Sequence, residues 1–431
     1  MARIHDGVTV AEEGIRRDLA TPGGTTNGRT PAPAEFAQDT DKTRARAKVF
    51  VGMSGGVDSS VSAALLVEQG YDVTGIYMKN WSKDLPGMKC PWAEDLADAK
   101  RVAVKLGIPF EVWDFEDAYR EKVVEYMLTE FKKGNTPNPD IMCNEEIKFR
   151  LFYEKAMERG ADFIATSHYA RVEHAPEAML LRAVDENKDQ TYFLYRISSE
   201  ALKHTLFPIG DMLKPDVKKL AEKRGLHNAY KKESMGVCFV GEVGMKDFLK
   251  EYIDIEPGEI REAETEKVLG YHEGAIFYTI GQRHGLYLSG NKGEINPGLP
   301  YYVVKKDLEQ NIVYVSQNLN HSAIWTKELK LKDVLARRAP AKHLQRHFAT
   351  DEEQRSEVRP VTTGEHERAE GGVFLAPTNR IQVRLRHRAP LIPATLEGNT
   401  LRFDSEIKRP ASGQSAVFYD GEICLGGGII A

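Results

Sequence analysis

The sequence predicts an α/β fold, a parallel sheet with helices on both faces, followed by two β-rich domains. From position 48, short apolar runs alternate with segments of helical periodicity, which is typical of βαβ units. From about position 246 the segments become shorter and are separated by Gly and Pro, and near the end a period of two dominates. A length of 431 residues is consistent with two or three domains.

The first domain is expected over 47–245. Its predicted strands are Lys48–Met53, Asp72–Met78, Pro109–Phe115 and Asp162–Thr166. Its predicted helices are Val57–Gln69, Ala93–Leu106, Asp117–Lys132 and Glu145–Glu158. Strands and helices in this order predict a Rossmann-like arrangement.

A small β-rich central domain is expected over 246–318, and a C-terminal β-barrel domain over 319–431. Residues 337–375 form a charged insertion of low hydrophobicity within the last domain. Residues 1–46 are rich in Gly, Pro, Thr and Ala and carry both charges, so we expect a disordered extension.

Composition limits the function classes. The net charge is −5, from 59 basic and 64 acidic side chains, so a nucleic-acid site would have to be a local basic patch. No apolar run approaches the ~20 residues of a membrane span, which argues against a membrane protein. The four cysteines lie far apart without a CxxC pair, which disfavours both a zinc site and a secreted disulfide framework. We therefore expect a cytoplasmic protein, with the mitochondrial matrix as the alternative.

The strongest local signal is a glycine loop, SGGVDSS at 54–60, between a predicted strand and a predicted helix. Two glycines let the backbone approach a polyanion. The loop amides, the helix N-terminus and the hydroxyls of Ser54, Ser59 and Ser60 are then expected to hold phosphate. Asp58 is expected to help hold Mg²⁺ on a pyrophosphate group. The lysine of a Walker A loop is missing. The alternative is a Gly-Ser turn that only caps the helix.

Two cysteines lie in loop-like segments. Cys143 follows two prolines in TPNPDIMCNEEIKF at 136–149, and a helix is predicted to begin just after Asn144. That position would let the helix dipole stabilise the thiolate of Cys143. Cys238 lies in the Gly-flanked segment SMGVCFVG at 234–241. Either cysteine alone could instead be a small buried hydrophobic residue.

Taken together, these segments resemble the tRNA-specific 2-thiouridylases, tRNA-uridine 2-sulfurtransferases of the ATP-pyrophosphatase (PP-loop) superfamily. The resemblance runs from Lys48 to Ala431 apart from the 337–375 insertion. It rests on GMSGGVDSS at 52–60, MKNW at 78–81, TPNPDIMCNEEIKF at 136–149, DQTYFL at 189–194, GVCFVG at 236–241, YTIGQRHGL at 278–286 and GQSAVFYDGEICLGGGII at 413–430.

The resemblance implies a Rossmann-like domain of the adenine nucleotide alpha hydrolase type. It also implies ATP-dependent 2-thiolation of the wobble uridine of tRNA: uridine O2 is adenylated, and a cysteine persulfide supplies the sulfur. The implied products are 2-thiouridine, AMP and pyrophosphate. The implied partners are the anticodon stem-loop of tRNA and a persulfide sulfur-relay donor protein.

Residue roles follow the matching motifs. Cys143 matches the nucleophile and Cys238 the persulfide-bearing cysteine, and the two form the catalytic disulfide; Asp140 is the expected general acid or base. The implied ATP-binding residues are Gly52, Met53, Ser54, Gly55, Gly56, Val57, Asp58, Ser59, Met78 and Ser167. The implied tRNA-binding residues are Asn138, Pro139, Asp140, His168, Lys188, Asp189, Gln190, Arg386, His387 and Gln414.

Two positions depart from the family pattern. Ser167 stands where the family usually has Gly, and it adds a side chain where the backbone should approach the nucleotide. His387 stands where Tyr is common. The nearby cluster Arg384, Arg386 and Arg388 fits phosphate contacts, but alternating charges on an exposed strand face would have the same pattern.

Three rival interpretations remain open at this point. A ligase of the same superfamily would adenylate a carboxylate and would not need the cysteines. A catalytically silent protein would only bind nucleotide or tRNA. A third variant would use Cys143, Cys238 and Asp140 to hold an iron–sulfur cluster.

Overall fold

The computed structural model describes residues 46–84, 90–174, 177–232, 244–286, 288, 299–337 and 380–431. Three regions with sequence-based predictions lie outside this range: the extension 1–46 except for Arg46, the segment around Cys238, and the insertion 337–375 except for Arg337.

The N-terminal part contains a parallel sheet. The strands up to residue 206 are β1 (Lys48–Gly52), β2 (Asp72–Lys79), β3 (Phe110–Asp114), β4 (Phe163–Ala165), β5 (Arg171–Glu173), β6 (Met179–Leu181) and β7 (Thr205–Leu206). The sheet has the order β3-β2-β1-β4-β7, with every pair parallel. Parallel strands buried on both faces need continuous apolar runs, and Val49, Phe50 and Val51 of β1 are all buried.

Helices cover this sheet. The helices are α1 (Val57–Glu68), α2 (Trp92–Leu106), α3 (Glu116–Tyr119), α4 (Tyr126–Lys132), α5 (Pro139–Met142), α6 (Phe152–Glu158), α7 (Ser199–Lys203), α8 (Lys214–Lys223) and α9 (Met245–Lys250). A π-helical stretch, Arg120–Glu125, joins α3 to α4, and another, Cys143–Leu151, joins α5 to α6. Thr191–Phe193 and Ala275–Phe277 are short 3₁₀ turns. Gly107 ends α2 with a positive φ of 68°, a conformation that glycine adopts without strain.

The central part is a small sheet. Its strands are β8 (Gly258–Glu262), β9 (Val268–His272), β10 (Tyr302–Asp307) and β11 (Ile312–Ser316), in the order β10-β11-β8-β9. A separate core forms beneath it from Ile260, Val303, Val313 and Val315, all fully buried.

The C-terminal part is a closed barrel. Its strands are β12 (Trp325–Ala336), β13 (Arg380–Arg384), β14 (Ile392–Glu397), β15 (Thr400–Lys408), β16 (Ser415–Asp420) and β17 (Ile423–Ile430). Neighbours pair in the order β12-β15-β14-β13-β16-β17, and β12 also pairs with β17, which closes the barrel.

A hairpin from the N-terminal part extends this barrel. Strand β6 pairs with β17 at Cys424 and Ile423, and β5 pairs with β6. The first and last parts of the chain therefore share one sheet. Within the described residues, no helix combines the length and the hydrophobicity that crossing a membrane would require.

Candidate active site

A crevice forms where the strand order of the N-terminal sheet reverses. The chain runs outward from β1 to β2 and β3 on one side, and β4 lies on the other side of β1. In open parallel sheets, ligands bind at this switch point, outside the carboxyl ends of the strands. The glycine loop follows β1, and Ser167 and His168 follow β4, so the two predicted ATP segments meet at the crevice.

Gly55 of the loop and Gly52 at the end of β1 both lie close to neighbouring atoms. Gly55 has a φ of +78°, and a Cβ there would lie 2.2 Å from the backbone oxygen of Asp95. A Cβ on Gly52 would lie 2.8 Å from the Cε atom of Met78. At Gly55 the loop therefore depends on glycine both for its conformation and for its close packing against α2, whereas the Met78 side chain beside Gly52 has a flexible end that can move aside. This contact also places Met78 beside Gly52, at the carboxyl end of β2.

The N-terminus of α1 is open towards the crevice. Gly56 is the N-cap residue, and no side chain among the described residues caps this end. The first amides of a helix have no partner within the helix, and together with the helix dipole they attract an anion. This end of α1 can therefore hold phosphate groups.

Two of the three serine hydroxyls of the loop bind a backbone carbonyl group within the loop. Ser59 Oγ donates to the carbonyl of Gly56 at 3.0 Å, and Ser60 Oγ donates to the same carbonyl at 2.9 Å. Asn228 Nδ2 donates to the carbonyl of Gly55 and to Ser60 Oγ, each at 2.8 Å. Both serines are buried, whereas Ser54 is exposed. In this structure the hydroxyls of Ser59 and Ser60 stabilise the turn itself, and the expectation that they contact phosphate stays a prediction.

Asp58 forms an ion pair instead of facing an open metal site. Lys214 Nζ lies 2.7 Å from each carboxylate oxygen of Asp58, and the hydroxyl of Tyr169 donates to Oδ1 at 3.2 Å. The positive charge of Lys214 already neutralises this carboxylate. Among the described residues, no cluster of three or more His, Cys, Asp or Glu side chains could hold a metal. Because Lys214 already contacts both carboxylate oxygens of Asp58, the expected Mg²⁺ role of Asp58 does not fit the side chains around it.

The helix that carries Cys143 begins earlier than predicted. Asn138 is its N-cap and accepts a hydrogen bond from the amide of Asp140 at 3.1 Å, and Pro139 occupies the first helical position. Proline is favoured there because its missing N–H would be unpaired anyway. The expectation of a helix start after Asn144 was wrong: Cys143 lies beyond the first turn, where the helix dipole has little effect.

Cys143 is buried and Asp140 is partly buried. Cys143 is 3 % exposed and packs with Ile141, Ile147 and Phe152 in the main core. Burial raises the pKa of Asp140, an effect only partly opposed by the positive charge of Lys148. A carboxyl group with a raised pKa is suited to exchange protons nearer neutral pH. Cys238 lies outside the described residues, so the expected pairing of the two cysteines stays a prediction.

His168 connects this helix to the crevice. Its Nδ1 lies 2.8 Å from the hydroxyl of Thr166, and its Nε2 lies 3.5 Å from Nζ of Lys148. Burial lowers the pKa of His168 well below its usual value, and the neighbouring Lys148 lowers it further, so the ring is neutral. The ring also packs against Phe149 and Phe207.

The segment 188–190 has an internal role. The carboxylate of Asp189 is fully buried, and it accepts hydrogen bonds from Thr191 and from Arg384. Gln190 accepts from the amide of Tyr169 at 2.8 Å and donates its own amide to the carbonyl of the same residue. The expected contact of the Asp189 side chain with tRNA does not fit this burial. Arg384 is likewise buried, so only Arg386 and Arg388 of the basic cluster are exposed.

The C-terminal barrel contacts the loop before Asn138. Gln414 Nε2 donates to the carbonyl of Thr136 at 2.6 Å, and the amide of Thr136 donates to the carbonyl of Ser412 at 2.8 Å. His387 is half-buried, with its ring centroid 4.6 Å from that of Phe193, and burial lowers its pKa to about 4. The barrel thus supports the segment that leads into the helix of Asp140 and Cys143.

Sequence reasoning missed four residues that build this site. Lys214 and Asn228 are remote from the glycine loop in sequence, and no local pattern marks them, whereas Tyr169 directly follows the predicted His168. Lys148 lies inside the motif TPNPDIMCNEEIKF at 136–149, and its presence in that motif was the only signal in the sequence that could have identified it.

Comparison with known proteins agrees with this geometry. The family model described as "tRNA methyl transferase HUP domain" matches residues 47–242, "tRNA methyl transferase PRC-barrel domain" matches 246–317, and "Aminomethyltransferase beta-barrel domain" matches 371–430. Solved structures resemble the chain only remotely. NMN synthetase from Francisella tularensis is 17 % identical, with a TM-score of 0.29 over 47 % of this chain and 76 % of that one. A likeness of this size carries no argument about function.

Curated relatives are much closer. The chain is 43 % identical over 407 residues to the tRNA-specific 2-thiouridylase MnmA of Pseudomonas fluorescens (strain SBW25), covering 93 % of this chain and 97 % of that protein. It is 43 % identical over 385 residues to the protein of the same name from Lactiplantibacillus plantarum, covering 89 % and 95 % respectively. Because this identity extends over almost the whole length of both partners, the chain belongs to the family of tRNA-specific 2-thiouridylases, as its motifs predicted.

Proposed function

We propose that this chain is a tRNA-uridine 2-sulfurtransferase that thiolates the wobble uridine at C2 and converts ATP to AMP and pyrophosphate. One observation carries the proposal: Lys148 and His168 link the helix of Asp140 and Cys143 to the crevice beside the glycine loop. The names of the curated relatives support the tRNA substrate. The bacterial sources of those relatives favour the cytoplasm over the mitochondrial matrix.

The first step is adenylation. The phosphates of ATP bind at the open N-terminus of α1, and Asn138, Pro139 and Asp140 receive the wobble base after it leaves the anticodon stack. Asp140 accepts the proton from N3 of the base as O2 attacks the α-phosphorus. An O–P bond forms, the bond to the β-phosphate oxygen breaks, and pyrophosphate leaves with the electron pair. The poor leaving oxygen at C2 is thereby converted into AMP.

The second step is sulfur transfer. A persulfide on Cys238, supplied by a sulfur-relay donor protein, attacks C2 through its terminal sulfur, and AMP departs. The thiolate of Cys143 then attacks the Cys238 sulfur. The S–S bond breaks, its electrons remain on the sulfur attached to C2, and a Cys143–Cys238 disulfide forms. A thiol reductant must reduce this disulfide before the next turnover.

The exposure of the remaining predicted contact residues indicates how each of them would act. Arg386 is exposed and can contact the RNA backbone, and the partly exposed Lys188 is the second residue that we assign to this contact. His387 offers a ring for base stacking. Gln414 acts on the RNA through the 134–138 segment that it holds. Ser167, at the carboxyl end of β4, borders the nucleotide with its backbone.

Reconstitution tests the proposal. The purified chain is mixed with ATP, MgCl₂, an unmodified tRNA transcript and a persulfide donor. AMP is quantified, and 2-thiouridine is measured by mass spectrometry of nucleosides. Cys143→Ser and Cys238→Ser should each abolish 2-thiouridine while leaving AMP formation intact. Cys90→Ser is the matched control and should keep both products.

The rival functions predict other results. Full thiolation by both cysteine variants would contradict the mechanism. AMP formation that needs neither tRNA nor the thiols would indicate a carboxylate-adenylating ligase. Binding of ATP and tRNA without AMP release would indicate a silent binder. A brown anaerobic preparation that loses its colour in the Cys143→Ser variant would indicate the iron–sulfur variant.

A further inference from the structure

Lys148 differs from the other lysines around the crevice. Lys214 pairs with Asp58, Lys231 with Asp95 and Asp98, and Lys79 with Asp114 and Glu116. Lys148 makes no ion pair with any described carboxylate within 4.0 Å; its contact is the Nε2 atom of His168 at 3.5 Å. Lys148 is therefore a half-buried cation with which no carboxylate among the described residues pairs directly, although it interacts electrostatically with Asp140.

The contact with His168 fixes both side chains. An ammonium group can only donate, so Nε2 of His168 must accept, and the ring proton then lies on Nδ1. Nδ1 in turn donates to the hydroxyl of Thr166 at 2.8 Å. Because the imidazole is neutral, it orients the ammonium group without compensating its charge. A cation held in this way is prepared for an anion that arrives with a ligand.

The position of Lys148 indicates which anion. His168 lies three residues beyond β4, next to the glycine loop that follows β1, where phosphate groups would bind. On its other side Lys148 interacts electrostatically with Asp140, beside the expected base site. The group that lies between the β- and γ-phosphates and the attacked base is the α-phosphoryl group of ATP.

We propose that Lys148 contacts the α-phosphoryl group of ATP and stabilises the negative charge that develops on it while the uridine oxygen attacks. This inference rests on the proposed function, and it adds to it a catalytic residue that neither the glycine loop nor the cysteines supply. The same ammonium group would then hold the phosphate of the adenylate until sulfur displaces AMP.

Single-turnover adenylation tests the inference. Lys148→Met should lower the rate of AMP formation from bound ATP and tRNA by about 10²- to 10³-fold, the usual cost of removing one such donor. The dissociation constant for ATP should change far less, because the charge develops mainly in the transition state. Lys148→Arg keeps the cation and should recover much of the rate. Lys132→Met, on the exposed face of α4, is the matched control and should behave as the unaltered chain does.

The outcomes separate the two proposals. A Lys148→Met variant that forms AMP as fast as the unaltered chain overturns the role of Lys148 but leaves the proposed function intact. A loss confined to ATP affinity, with an unchanged rate from the bound state, overturns it as well. If Lys148→Met does not fold, Lys148→Gln, which keeps much of the side-chain length without the charge, gives the same comparison. If the unaltered chain itself forms no AMP with tRNA and ATP, the proposed function fails.

Discussion

Arg384 of the C-terminal barrel donates a hydrogen bond of 2.7 Å to the carboxylate of Asp189, which lies 195 positions earlier in the chain. Both side chains are buried, with exposures of 6 % and 0 %, and Arg182 approaches the same carboxylate at 3.6 Å. The guanidinium of Arg384 also lies over the ring of Tyr419. This ion pair ties the segment after the N-terminal hairpin to the inside of the barrel sheet.

Breaking this pair should strongly destabilise the protein. Asp189→Ala leaves the buried guanidinium of Arg384 without its main counter-charge, and loss of one partner of a buried pair costs about 3–5 kcal/mol. Chemical denaturation followed by circular dichroism gives the change in the free energy of unfolding. The exposed pair Arg380–Asp404, in the same barrel, is the matched control, and Asp404→Ala should cost at most about 1 kcal/mol. Equal effects of the two substitutions would contradict the structural role of Asp189.

Substitution of Asp140 should raise stability and lower activity. Burial raises the pKa of Asp140 above 3.8, so its stabilising contribution is complete below that pH and is lost as pH rises through the folded-state value. Asn cannot ionise. Asp140→Asn should therefore be more stable than the unaltered chain at neutral pH, and this difference should disappear in acid. Thermal unfolding at several pH values measures it.

The same substitution should reduce thiolation by at least about 100-fold, as expected for loss of a general base. In the unaltered chain, the adenylation rate should fall as the pH drops through the raised pKa of Asp140, because the protonated carboxyl cannot accept a proton. A pH profile that stays flat across that region would argue against Asp140 as the base.

Two glycines with similar backbone angles should respond differently to a methyl group. Gly55 and Gly70 have φ values of +78° and +87°, but a Cβ at Gly70 meets nothing within 4 Å. Gly70→Ala should cost only the backbone strain, about 1–2 kcal/mol. Gly55→Ala adds the clash with the backbone of Asp95 and should also prevent ATP binding. Calorimetric titration with ATP and thermal unfolding separate the two effects.

Cys143 should become reactive only when substrates bind. The thiol is buried here, so iodoacetamide should modify it slowly in the isolated protein. Bound tRNA and a non-hydrolysable ATP analogue should accelerate its alkylation, measured by peptide mass spectrometry. Cys424 is the internal control: it is buried in the barrel, and burial raises its pKa to about 12, so it should stay unmodified throughout. Protection of Cys143 that persists in the complex would exclude its attack on a persulfide.

Asp58 should prove structural and not a metal ligand. Asp58→Asn should lower stability, because Lys214 loses the carboxylate that it contacts through both oxygens, and Asp58→Asn combined with Lys214→Met should recover part of the loss. The Mg²⁺ concentration for half-maximal AMP formation should be the same in the single variant and the unaltered chain. A marked rise in that concentration would restore the metal-binding role.

The fold class and the family were predictable from the sequence, and the comparisons confirm both. A strand that is buried on both faces of a sheet needs a continuous apolar run, and such runs are visible in the sequence. Strands β1, β2 and β4 therefore lie within a few residues of their predicted positions. The division at 245 and 318 stays a prediction, and limited proteolysis with mass spectrometry of the fragments would test it.

Contacts between remote positions could not be predicted. The pairing of Asp58 with Lys214 spans 156 positions, and neither residue lies in a pattern that depends on the other. The prolines at 137 and 139 predict a break in the preceding helix. The sequence alone did not reveal that Pro139 is also the first residue of the next helix, α5. Charge alternation at Arg384 and Arg386 could not show which arginine turns inward, since Asp189 decides that from another part of the chain.

The hairpin of β5 and β6 has a consequence for biosynthesis. Residues 171–181 leave the ribosome early, but their partner in the barrel, β17, is almost the last segment to be translated. Until then the nascent chain carries an uncovered strand edge, which can pair with other chains and is a common origin of aggregation. Premature termination before Ile423 should therefore yield insoluble product, even though every residue of the nucleotide crevice has already been made.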